Sequence, residues 1–128
     1  MTKIKFSFFA ILILLGCANR GTPTGGEIDL DPPIVLKSFP ENFSTNFNSE
    51  NIEIIFDEYV RLNNIQKELI ISPPIEPQPL IMPMGSASKV LTISDYDSLK
   101  NNTTYSFHFG ESIEDNNEKN VLSNYRYV

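Results

Sequence analysis

The chain has 128 residues, with 10 Lys and Arg against 16 Asp and Glu and a formal net charge of -6. That balance, with its few cations scattered, repels phosphate backbones and excludes the electrostatic footprint of a nucleic-acid binder. One cysteine and one histidine leave no internal disulfide and no zinc set, and no serine elbow accompanies the histidine to build a triad, so packing must stabilise what the length allows, one domain with a single core.

Lys3 and Lys5 precede the apolar run Phe6-Ser7-Phe8-Phe9-Ala10-Ile11-Leu12-Ile13-Leu14-Leu15, which ends at Gly16-Cys17. A charged start, an apolar middle and a small residue before a cut are the parts of a secretory signal. A run of about ten apolar residues is too short to span a hydrocarbon layer, which needs roughly 20. Residues 1–16 are expected to be removed on export, and losing Lys3 and Lys5 makes the processed chain more acidic still.

Leu14-Leu15-Gly16-Cys17 resembles the lipobox of bacterial lipoproteins. The resemblance implies that Leu14, Leu15 and Gly16 are recognised by the signal peptidase and that Cys17 carries a diacylglycerol and an N-acyl chain. It implies a cell-envelope protein held to the membrane by lipid. Ala18-Asn19-Arg20-Gly21 lack the acidic cluster that resembles a surface-export signal, so the expected place is the periplasm-facing leaflet of the outer membrane.

Residues 17–32 are rich in Gly, Pro, Thr and Asp and show no apolar periodicity. They are expected to form a flexible tether of roughly 20–25 Å by the square-root rule for coil, ahead of a domain over 33–128.

From Ile34 onward short β-prone runs alternate with turn chemistry. Ile34 to Phe39 is the first, stopped by Pro40-Glu41-Asn42, and Ile52 to Phe56 is the second, with Ile52, Ile54 and Phe56 on one face by the two-residue period. Tyr59 to Glu68 could hold a short helical turn, with Leu62, Ile65 and Leu69 at helical spacing. Leu69 to Ile71, Lys89 to Ile93, Tyr105 to Phe109 and Val121 to Val128 complete six expected strands, and turn signals recur at Asn46–Asn51, Asp95–Asp97, Asn101-Asn102 and Asn116-Asn117. This rhythm predicts an all-β sandwich. Ser72 to Met84 holds five prolines; each removes a ladder donor, so the segment is expected at an edge or in a connecting loop, blunting the sheet against aggregation rather than serving as a polyproline ligand.

Leu99-Lys100-Asn101-Asn102-Thr103-Thr104-Tyr105 stands directly before an aromatic strand and looks like the tyrosine corner of Ig-like sandwiches, with Leu99, Thr103 and Tyr105 as its architectural residues. Together with Asp31-Pro32-Pro33, Ser38-Phe39-Pro40-Glu41-Asn42, Ile54-Ile55-Phe56-Asp57-Glu58 and Ile113 to Asn120, it makes the chain resemble the bacterial Ig-like domain of the SbsA-like S-layer type, as carried by Bacteroidetes-type lipoproteins, over residues 31–128. In that family the last strand runs on into a Phe-Ser/Thr-Thr-Gly ending, so a strand cut short at Val128 is expected, as in a fragment or a truncated member. The resemblance implies a structural or binding module with no catalytic residues to carry over.

The remaining polar features have bland readings. Asp115-Asn116-Asn117-Glu118-Lys119-Asn120 concentrates oxygen ligands but lacks the spacing of a calcium loop and is expected to be a turn. Asp57 and Glu58 are adjacent, so on a strand they point to opposite faces and are expected at a solvated strand end rather than as an acid–base pair. His108 is expected to point away from the aromatic face of its strand. Gly25-Gly26 and Gly85 to Ser88 lack phosphate-loop spacing. Tyr96, Tyr125 and Tyr127 are candidate exposed aromatics that could stack on sugar rings, but packing across strand pairs, as in any sandwich, is the favoured reading. No cofactor, no metal site and no enzymatic activity are expected. The expected function is a lipid-anchored spacer or protein-interaction module, partnered with the membrane and with an envelope protein or a glycan. The alternative is a surface glycan- or peptide-capturing lipoprotein serving an outer-membrane importer.

Overall fold

The computed structural model describes Gly21, residues 25–96 and residues 99–128. In chain order the elements are β1 (Val35–Phe39), β2 (Ile52–Leu62), α1 (Ile65–Glu68), β3 (Ile70–Ser72), β4 (Leu80–Met82), β5 (Ser88–Ser94), β6 (Ser106–His108), β7 (Ile113–Asp115), β8 (Val121–Leu122) and β9 (Arg126–Tyr127). A six-stranded sheet runs β4-β5-β2-β7-β8 with β1 also on β2, and a three-stranded sheet runs β3-β6-β9. Every pairing is antiparallel.

β2 organises the large sheet because its burial alternates over all eleven residues, with Ile52, Ile54, Phe56 and Val60 inward, which is the period of a half-buried strand. Its first half lies between β5, which pairs Ile54 with Leu91, and β1, which pairs Ser38 with Ile54. Its last residues pair with β7, Val60 opposite Asp115. From the small sheet, the row Ile71, Phe107, Tyr127 faces the same interior. The resulting core takes Ile52, Ile54, Phe56, Val60, Leu91, Ile93 and Ile113 from the large sheet, Phe107 and Tyr127 from the small one, and Ile75, Tyr96 and Phe109 from the connections. The all-β sandwich expected from the rhythm of short runs is what forms.

Several elements differ from expectation. The helical turn expected over Tyr59 to Glu68 shrinks to Ile65–Glu68, because Val60 and Leu62 continue the two-residue alternation of β2 and the chain turns only at Asn64, which takes φ 49. Asp57 and Glu58 accordingly lie in mid-strand, not at a strand end. The stretch from Ile113 contains a strand, β7, before its turn. Val121 to Val128 is not one strand: Asn124 adopts φ 59 and donates its N–H to Gly110, so β8 joins the large sheet and β9 the small one. The proline-rich stretch supplies both expected roles, a connection and the edge strand β4, with Pro79 and Pro83 on either side of it. Among the described residues no helix is long and apolar enough to cross a membrane.

The free edge of β9 is covered without a regular strand. The Asn42 side chain donates to the carbonyl of Arg126 (2.9 Å) and accepts the N–H of Val128 (2.8 Å), and the Phe43 N–H donates to the carbonyl of Val128 at 2.8 Å. One amide thus supplies the donor and acceptor that a neighbouring backbone would offer, and it fixes where residues 42–43 sit.

The core assignment predicts a contrast. Leu91→Ala, at a position with 0% exposure, should cost on the order of 3 kcal/mol, whereas Leu36→Ala, on exposed β1, should change stability by less than about 0.5 kcal/mol; urea denaturation of both variants measures the difference.

Candidate functional site

The loop 43–47, the stretch 99–105 and the end of β9 enclose an open cleft of about 870 Å3, within the range of roughly 300–1,000 Å3 typical of ligand clefts. Buried Ile52, Tyr96, Phe107 and Tyr127 form its base. Phe47 leans on Tyr96 with ring centroids 5.8 Å apart and planes tilted by 58°. The Tyr96 hydroxyl donates to the carbonyl of Ser49 at 3.0 Å, so the base of the cleft is held in place. Asn46, Asn101, Asn102 and Thr104 line its exposed rim. Asn46 and Asn102 have φ 58 and φ 54, a backbone Asn tolerates well.

Phe43 is different. It has φ 64, and for a residue other than glycine the left-handed region costs roughly 1–2 kcal/mol. The residue is 65% exposed, so burial returns little of that cost. The position is fixed from outside, by the Phe43–Val128 backbone bond and by neighbouring Asn42.

Of the residues picked from the sequence, Leu14, Leu15, Gly16 and Cys17 lie outside the described residues. Leu99 packs half-buried against the core, and Tyr105 does likewise while its hydroxyl accepts the N–H of Lys100 at 3.0 Å. The Thr103 hydroxyl donates to the carbonyl of Asn101 at 3.2 Å. All three border the cleft.

The three candidate tyrosines are not exposed, and the packing reading holds for them. Tyr96 and Tyr127 are buried because both fall on core-facing positions. Tyr127 donates its hydroxyl to the carbonyl of Pro40 at 3.0 Å and meets Phe107 edge-on, while half-buried Tyr125 lies over Phe109. Burial pushes the hydroxyls of Tyr96 and Tyr125 up to about 12. The most exposed aromatic residues at the cleft are Phe43 and Phe47. The signal available for it was two phenylalanines inside the polar, turn-rich stretch Pro40 to Asn51.

The carboxylates form a separate corner. Asp57 is exposed, and its Oδ1 accepts the N–H of Ile34 at 2.8 Å. Glu58 occupies the inward row between Phe56 and Val60, half-buried. Its carboxyl is pushed above the ordinary value by loss of solvent and by repulsion from Asp115, Asp57, Asp29 and Glu118. Asp115 is 1% exposed, and its Oδ1 accepts the N–H groups of Asn117, Glu118 and Lys119 while its Oδ2 accepts that of Asn120, at 2.7–3.0 Å. Burial raises the Asp115 carboxyl, but the four donors together outweigh burial and hold it below the ordinary value. These oxygens organise the turn Asp115 to Asn120. His108 is half-buried in the small sheet, between Ile70 and Arg126; Asp115 belongs to the other sheet. Among the described residues no group of three His, Cys, Asp or Glu has metal-ligand placement, and no buried side-chain polar atom lacks a partner.

The two carboxyls predict opposite pH effects. Asp115 titrates below its ordinary 3.8, so the folded state binds fewer protons, and its contribution is complete above that value and lost as pH falls through the folded pKa. Asp115→Asn should cost on the order of 3 kcal/mol at neutral pH and flatten the acid limb of the stability curve. Glu58 titrates above its ordinary 4.5, so its contribution is complete below that value and lost as pH rises through the folded pKa. Glu58→Gln should therefore stabilise the neutral protein, with the gain disappearing in acid; denaturation midpoints followed against pH check both signs.

The model of the bacterial Ig-like domain matches residues 29–128. No curated protein and no solved structure gives a match. The matched stretch takes in both sheets, the cleft and the Asp115 turn, and the chain belongs to the bacterial Ig-like domain family.

Proposed function

We propose that this chain is a non-enzymatic lipoprotein of the bacterial cell envelope, anchored through lipid on Cys17, whose Ig-like domain serves as a structural spacer or protein-interaction module. The observation that carries the reading is the order of features in the sequence. A charged start, an apolar run and Leu14-Leu15-Gly16-Cys17 come first, then a stretch without apolar periodicity, then the Ig-like domain. Each buried methylene of an acyl chain contributes about 0.8 kcal/mol, and more than one chain makes anchoring stable. Kinship with the S-layer type and with Bacteroidetes-type lipoproteins, and a place in the periplasm-facing leaflet of the outer membrane, belong to the same proposal.

A structural role is supported by what the polar side chains do. The Asp115 carboxylate is saturated by backbone donors, Asp57 ties β2 to Ile34, and the hydroxyls of Tyr96 and Tyr127 bond to carbonyls. The Tyr105–Lys100 bond supports a tyrosine-corner role for Leu99, Thr103 and Tyr105.

Metabolic labelling with a radioactive fatty acid tests the anchor. The wild type should be labelled and recovered with membranes, and Cys17→Ser should lose the label and accumulate uncleaved or unanchored. Undiminished labelling of Cys17→Ser would refute the anchor. Protease treatment of intact cells tests the leaflet, since protection is expected and digestion would place the domain outside.

A further inference from the structure

We infer that the cleft between the 43–47 loop and the 99–105 stretch is a binding site for a neutral oligosaccharide, with Phe43 as its stacking platform. The inference deepens the interaction-module reading and does not depend on the lipid anchor.

Phe43 carries it furthest. The other described residues with positive φ, apart from glycines, are Asn46, Asn64, Asp95, Asn102, Lys119 and Asn124, all polar and most of them of the types that accept this backbone readily. Phe43 combines the same backbone with an aromatic side chain on a residue that is 65% exposed. The ring therefore serves neither the local backbone nor the core, and strain retained at a cleft points from the outlier toward function. A glycine or asparagine would satisfy the turn better. What the phenylalanine adds is a flat apolar face at the cleft, with Phe47, a residue 36% exposed whose ring leans on Tyr96, lining the same cleft.

The rest of the lining selects the ligand class. Asn46, Asn101, Asn102 and Thr104 offer amides and a hydroxyl at the exposed rim, groups that both donate and accept. Among the described residues, Lys100 is the one charged side chain lining the cleft, in a chain that has 16 Asp and Glu. Rings with exposed faces, ringed by neutral amides and hydroxyls, match a pyranose, which has an apolar C–H face and a hydroxyl-bearing edge. An anionic polymer would meet a protein of net negative charge, and a wholly apolar ligand would make no use of the amides and hydroxyl at the rim.

The test uses the full chain and two variants. Isothermal titration is run against neutral gluco-, manno-, galacto- and xylo-oligosaccharides, with an oligogalacturonate as the charged counterpart. At least one neutral oligosaccharide should bind, and Phe43→Gly should weaken it by about tenfold or more, as loss of an aromatic anchor does, without lowering the thermal midpoint, because glycine accepts φ 64 freely. Phe39→Ala, which removes an exposed ring that does not line the cleft, should leave binding unchanged. Absence of binding to every neutral oligosaccharide, preference for the oligogalacturonate, an isotherm unaltered in Phe43→Gly, weakened binding in Phe39→Ala, or a lowered midpoint in Phe43→Gly would each overturn the assignment. An empty panel leaves the anchored-spacer reading intact, and unchanged fatty-acid labelling of Cys17→Ser leaves the cleft intact, so the two failures are distinguishable.

Discussion

The alternation of β2 is the constraint on which the other elements depend. Ile52, Ile54, Phe56 and Val60 lie on one inward row, and a register slip of one residue would turn that row to solvent and bring Glu53, Asp57 and Arg61 inside. Because the strand is eleven residues long, β1, β5 and β7 all form ladders on it, and through them β4 and β8. The small sheet needs no ladder to β2, since Phe107 and Tyr127 are held by packing into the same core.

The inward row has one polar member, Glu58, and the fold handles it differently from Asp115 across the sheet. Asp115 is more deeply buried yet stays readily ionised, because four N–H groups of its own turn replace the water it loses. Glu58 has no comparable set of donors and feels the carboxylates around it, so its charge is disfavoured. The first carboxylate sets the path of the chain between β7 and β8; the second is a cost carried by the core's margin. Their proximity does not make an acid–base pair, since the Asp115 oxygens are already occupied.

The sequence made the sheet-forming runs legible where one period persisted. Ile52 to Phe56, Lys89 to Ile93 and the aromatics from Tyr105 to Phe109 all carry a two-residue pattern that the structure retains. The misread boundaries lie where backbone sign, not hydrophobicity, decides: Asn64 ends β2 and Asn124 divides β8 from β9, each by taking positive φ. Period alone could not separate Tyr96 and Tyr127 from surface tyrosines, because one lies just after a strand and the other in a two-residue strand. The cleft was less legible still. Phe43 and Phe47 come from one loop and Asn101 to Thr104 from another more than fifty residues on, and neither loop carries a local sign that it faces the other.

The entry of the chain lies beside the middle of β2, and the cleft at its start. The incoming segment is stitched beside the acidic corner, where the carbonyl of Asp29 accepts the Asn120 amide and the N–H of Ile34 donates to Asp57. Ile52, which begins β2, lies in the base of the cleft, and five residues of strand separate it from Asp57, roughly 16 Å at about 3.3 Å per residue. The segment entering at Asp29 therefore leaves the rim formed by Phe43, Asn46 and Asn102 clear. The β7–β8 turn thus receives the incoming chain, while the loops at the start of β2 stay open to solvent.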